Sequence, residues 1–247
     1  MEGLLKELTG FLQLYDQQTS EWLTGYRRRG GHISCKRGCH NCCSLAVNCT
    51  LPEALWLARH LPDTFINPLE RYVEKLLQLM SDVTDMKGYL RVVRNRAGGC
   101  PFLAEDGSCG VYEWRPLSCR SLFSTDSPKY CAADFSALCS EEKESFVSRL
   151  DRDVVRFPTA YVDVTQQLAH KMEQMVLAHM LKATGVALSG NLPYLVWLEK
   201  RHDLMLRFTW GEGEALRYLA HEDLGHRFLV DIQKGNQKVH LIPRQES

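Results

Sequence analysis

Apolar residues recur three and four apart through the first part of the chain: Leu4, Leu5, Leu8, Phe11, Leu12, Tyr15, Trp22, Leu23 and Tyr26. That spacing gathers them into one stripe and predicts a core-facing helix that ends near Gly30 and Gly31. Thr50, followed by Pro52 and by Glu53 three residues on, reads as the capping-box start of a short helix running to about His60. Pro68 can open a longer helix, in which Tyr72, Val73, Leu76, Leu77, Met80, Val83, Tyr89, Leu90 and Val93 hold the helical period until Gly98 and Gly99 break it. A further helix is predicted over 165–184 and closed by Gly185, with Leu168, Met172, Met175, Val176, His179 and Leu181 on one face. Segments 228–232 and 238–242 flank Gly235 and Asn236 and predict a small C-terminal β-hairpin.

Residues 100–139 hold no such period. They are rich in Pro, Gly, Ser and Cys and read as turns and irregular backbone, which a small core cannot organise. A ligated metal would supply what packing does not, because metal-binding free energy in Cys-rich segments is also folding free energy.

All ten cysteines lie between Cys35 and Cys139. The first group, Cys35, Cys39, Cys42 and Cys43, has the spacing C-x3-C-x2-C-C, with Gly38 letting the chain fold back. Separations of two to four residues let one turn present two thiolates to one ion. The second group is Cys100, Cys109 and Cys119, joined by Cys131; gaps near ten residues imply that each arrives from its own turn. Zinc sites close with four ligands and iron-sulfur clusters take four cysteines, so seven or eight thiols point to two centres or one multinuclear centre. Side chains of the adjacent pair Cys42 and Cys43 diverge, which suits one thiolate to each of two ions, or a bridge.

Composition narrows the setting. The 247 residues are 45% hydrophobic, enough for one good-sized core or two small ones, and 30 basic residues balance 30 acidic ones. Without a net positive field, nucleic acid is not an expected partner. Arg27, Arg28 and Arg29 fall where a helix ends and complement its dipole. Glu2 and Glu7 interrupt any secretory signal, and no uncharged apolar stretch is long enough for a membrane span, so a cytoplasmic protein is expected. Thiols stay reduced there, which favours metal ligation over a disulfide framework.

The run Cys100-Pro101-Phe102-Leu103, then Cys109-Gly110-Val111-Tyr112-Glu113-x-Arg115-Pro116 and Cys119-Arg120, set beside the first quartet, resembles the YkgJ-type cysteine-cluster family, a zinc- or iron-chelating CxxCxxCC domain. The resemblance covers about residues 33–139. It implies Cys35, Cys39, Cys42, Cys43, Cys100, Cys109, Cys119 and Cys131 as metal ligands, and leaves Cys49 and Cys139 as buried thiols outside the pattern. Arg115 and Arg120 would offset thiolate charge, and Tyr112 and Trp114 would shield the centre from water.

Other chemistries fit less well. C-x3-C-x2-C also marks radical S-adenosylmethionine enzymes, but those need alternating strands and helices, and the region after Cys43 reads as helices and then more cysteines. His32 and His40 flank the first group as outer neighbours. His221 and His226 lie five residues apart, miss the register that shares a helical face and read as surface residues; His170 and His179, nine apart, miss a shared face as well. No nucleophile elbow, Walker loop or dinucleotide fingerprint occurs, and no catalytic base is identifiable.

The expected protein is mainly α, with helices around an irregular cysteine-rich metal-binding centre. Residues 1–31 form an N-terminal helix packed on it, 32–139 the metal-binding domain, and 140–247 a helical C-terminal region. Zinc or iron is the expected cofactor, with an iron-sulfur cluster as one form of the iron, in a metal-binding protein that could engage a protein partner. The alternative is a metal-dependent or iron-sulfur enzyme acting in electron transfer or in modification of another protein.

Overall fold

The computed structural model describes residues 1–235 and 237–239, and among these it is mainly helical. Helix α1 (Glu2–Arg28) buries Leu4, Leu5, Leu8, Leu12, Tyr15, Thr19 and Leu23, the stripe expected from their spacing. Trp22 and Tyr26 lie at its edge, their rings stacked at 5.1 Å. Strand β1 (Asn48–Thr50) runs directly into helix α2 (Leu51–His60), where the capping box forms: the Thr50 amide donates to Glu53 Oε2 at 2.8 Å, and the Glu53 amide to Thr50 Oγ1 at 3.4 Å.

The long helix expected from Pro68 to Gly98 is broken into pieces. Helix α3 (Ile66–Met80) stops, helix α4 (Met86–Val92) follows, and a π-helical turn, Val93–Ala97, completes the segment. The apolar period runs unbroken through the gap, but Asp85 offers its carboxylate to the Gly88 amide at 2.7 Å and starts a new helix. Arg227 then donates to the Val83 and Thr84 carbonyls, supplying partners that a continuous helix would have supplied itself.

Beyond the cysteine region come α5 (Leu117–Arg120), α6 (Ser140–Ser148) and α7 (Asp163–Thr184), the last closed by Gly185 in the left-handed conformation. The buried face of α7 carries Thr165, Ala169, Met172, Val176, Leu177 and Met180, rotated from the one expected. Met175 is exposed, and His179 pairs instead with Glu7 on α1. Strand β2 (Ala187–Asn191) leads into α8 (Leu192–His202), and α9 (Leu204–Trp210) and α10 (Glu212–His221) complete the helices.

Strands β3 (Val230–Lys234) and β4 (Gln237–Val239) form the expected hairpin; its Asn236 and residues 240–242 lie outside the described residues. The hairpin is one side of a four-stranded antiparallel sheet in the order β1-β2-β3-β4. Gly190 permits the β2–β3 approach, since a Cβ there would stand 2.1 Å from the Leu229 carbonyl oxygen.

Helix α8 lies at the centre, with Leu192, Tyr194, Leu195, Val196 and Leu198 buried against a core that draws on α1, α2, α3, α7 and the sheet. A smaller core of Tyr130, Phe146, Leu150, Val155 and Ala160 supports the segment after the last cysteines of the cluster. No helix among the described residues is long and apolar enough to cross a membrane.

Candidate metal centre

The first cysteine group leaves α1 on irregular backbone. Cys35 is pinned across the chain: its sulfur accepts from the Ser124 amide at 3.2 Å, while Ser34 N donates to the Ser124 carbonyl at 2.8 Å. Gly38, at φ +80°, makes the reversal expected from its position, and Cys39 follows. Cys42 and Cys43 lie on a 3-10 turn, Asn41–Ser44. The Cys43 carbonyl accepts from the Cys100 amide at 2.9 Å, a direct backbone link between the two cysteine groups.

Cys100 emerges from the π-helical turn through Gly98 and Gly99. Cys109 faces Leu103 in an isolated antiparallel bridge, held by Gly110 N donating to Phe102 O at 2.9 Å. Cys119 lies on α5, and Glu53 sets the start of that helix by accepting from the Leu117 amide at 2.8 Å. Cys131 closes the 3-10 turn Pro128–Tyr130, with its carbonyl accepting from the Tyr161 hydroxyl at 3.0 Å.

Electrostatic coupling shows which thiols are neighbours. Burial is the leading cause that raises the pKa of Cys35 to about 11 and of Cys119 to about 12, and it leads also in raising Cys100, Cys109 and Cys131. At Cys42 the leading cause is its hydrogen bond with Cys43, followed by burial. Charge on Cys42 is felt at Cys35 and Cys131, and equally at Cys100, Cys109 and Cys119. Cys39 acts on Cys35 and Cys131. The thiols therefore fall into two neighbourhoods, Cys35, Cys39 and Cys131 in one and Cys100, Cys109 and Cys119 in the other, with Cys42 and its partner Cys43 between them. Among the described residues, no three His, Cys, Asp or Glu side chains are already gathered into a ligating cage.

Arg115 is the cation of this region. It lowers the pKa of Cys42, Cys109 and Cys119, and its guanidinium lies 3.7 Å from the centre of the Tyr112 ring. Arg120 serves a different purpose, pairing with Asp16 of α1 at 2.7 Å and donating to the Arg115 carbonyl. Tyr112 is exposed, whereas Trp114 stacks on His60 at 5.3 Å. His32 and His40 are exposed, the latter against Gly107. His221 ends α10 in solvent, and His226 lies half-buried in the loop that follows rather than on a helix.

Cys49 is buried, as expected, but Cys139 is exposed, and it immediately precedes α6. Two carboxylates near Cys119 have no counterpart in the sequence reading of the site. Glu53 is fully buried, and Glu173, which accepts from the Ser118 hydroxyl, is raised to about 7, first by burial and then by the charge of Glu53. The capping box announced Glu53, but its second bond, across to α5, belongs to the tertiary fold.

Residues 34–143 match the family model described as "CxxCxxCC: Putative zinc- or iron-chelating domain". No curated protein and no solved structure matches the chain.

Proposed function

We propose that this chain, whose residues 34–143 match the model of a zinc- or iron-chelating CxxCxxCC domain, binds zinc or iron through Cys35, Cys39, Cys42, Cys43, Cys100, Cys109, Cys119 and Cys131, in two centres that meet at the Cys42–Cys43 pair. The observation that carries this reading is the position of Cys42, whose charge is felt by thiols from both stretches of chain. The donor set suits these metals: thiolates are soft ligands that select zinc or iron-sulfur clusters over magnesium or calcium. Eight sulfurs match two four-ligand centres. Arg115 would then offset the negative charge of a thiolate-rich centre.

In this reading residues 32–139 are the metal-binding domain, 1–31 pack against it, and 140–247 form a helical region that supports it. Complete thiolate coordination leaves no position for water, so the bound metal would hold residues 100–139 in place, or carry electrons if it is an iron-sulfur cluster.

The test is metal content after purification without air. About two zinc ions per chain, or stoichiometric iron with sulfide, is the expected result. Cys42→Ser and Cys119→Ser should each lower bound metal and thermal stability together, whereas Cys139→Ser should change neither. Full metal content in both of the first two variants would overturn the ligand assignment.

A further inference from the structure

A cavity of about 410 Å³ opens beside Cys131, between the small core and the segments that carry Leu45 and Arg94. That is within the usual size range for small-molecule sites. Tyr130, Phe135, Phe146 and Tyr161 make aromatic walls. Such walls accept an apolar body of matching size.

Two charges of opposite sign line the same space. Arg94 projects from the π-helical turn, an element that recurs at functional sites because it re-aims a side chain. Its Nη1 donates to the Ala133 carbonyl at 3.3 Å, but its Nε is buried and has no hydrogen-bond partner. The Nε is closed to the cavity, so the rest of the guanidinium is what a ligand acceptor there would meet. Asp134 is the second charge. Its Oδ1 accepts from the Ser136 amide at 3.0 Å and hydroxyl at 2.6 Å, while Oδ2 accepts no hydrogen bond among the described residues. Arg94 and Asp134 form no ion pair with each other there, so neither is neutralised by direct contact.

We propose that this cavity binds a free α-amino acid with an aromatic side chain. Arg94 takes the α-carboxylate, whose planar pair of oxygens suits a guanidinium fork. Asp134 takes the α-ammonium, and the aromatic walls take the ring. Neither charge alone specifies the ligand. A simple carboxylate would meet repulsion from Asp134, and a simple amine would meet repulsion from Arg94, so the pair selects a zwitterion. The site shares Cys131 with the proposed metal centre but needs no metal for its recognition chemistry.

The test is titration calorimetry on the full chain as purified, with L-phenylalanine, 3-phenylpropanoate and 2-phenylethylamine as probes and metal content measured on the same samples. L-phenylalanine should bind, and each single-charge analogue should bind at least about tenfold more weakly, since one lost charged contact of about 1.4 kcal/mol is tenfold. Arg94→Met and Asp134→Asn should each weaken L-phenylalanine by at least that factor. Asp134→Asn keeps an oxygen for Ser136 at an exposed rim, so it remains informative if Arg94→Met fails to fold. Absence of L-phenylalanine binding, equal binding of the analogues, or an unaffected Asp134→Asn variant would overturn the proposal. Failure of binding in samples with full metal would sink the amino-acid site alone; metal-free samples that bind L-phenylalanine would sink the metal reading alone.

Discussion

Single side chains in this protein act mainly through what burial does to their charge. Glu199 on α8 shows it outside the cysteine region. Only 5% exposed, it accepts from the Met205 amide at 2.8 Å, and burial pushes its carboxyl up to about 8. A raised carboxyl favours the protonated form in the folded chain, so folding takes up a proton between the unfolded value near 4.5 and about 8. The stabilisation is complete below that window and is lost as pH rises through it. Glu199→Gln keeps an oxygen for Met205 without the titration. In urea melts the wild type should lose stability from pH 5 to pH 9 relative to this variant by a few kcal/mol, each pKa unit being worth about 1.4 kcal/mol. Parallel pH profiles for the two proteins would show that Glu199 does not titrate in this way.

Among the elements, the start of α2 connects an ordinary helix cap to the cysteine region. Thr50 and Glu53 complete the box, and the other oxygen of Glu53 holds the first amide of α5, which carries Cys119. Thr50→Ala should cost about 0.5–2 kcal/mol in chemical denaturation, the usual range for a lost cap, with bound metal unchanged. Glu53→Ala removes the bond to α5 as well and should lower both stability and metal content. The cap was legible because both of its residues lie within four positions. The link to α5 was not, since it spans 64 positions and depends on how the chain returns. Helix α3 stops after Met80 for a comparable reason: the apolar period continues, and the local bond of Asp85 together with the distant donor Arg227 decides the break.

Across the whole molecule, the helical core and the cysteine-rich stretch differ in how much regular structure they hold. The core gathers α1, α2, α3, α7, α8 and the sheet around buried apolar side chains, and it should survive loss of metal. Residues 100–139 have short turns; Phe102, Val111 and Leu117 enter the main core, and a small core lies beside the later part. If thiolate ligation organises them, chelation should raise hydrogen exchange across 100–139 while the amides of α8 stay protected. Equal loss of protection in both regions would mean that the centre and the core form one cooperative unit. The four-stranded sheet belongs to this scale too. Its hairpin was visible as two short runs about a turn, but β1 and β2 are short segments that lie far apart in the chain, and only their pairing defines them as strands.

The chain by itself determined whatever depends on neighbours within a few residues: the stripe of α1, the cap of α2, the αL glycine that ends α7, and the dense cysteine spacings that the CxxCxxCC family model matches. Tertiary structure decided which face of α7 is buried, where α3 stops, that Cys139 faces solvent, and that Cys42 lies between thiols from two distant stretches. Local periodicity specifies a helix without saying what will cover it. Burial, charge coupling and long-range hydrogen bonds come into being only when remote segments meet.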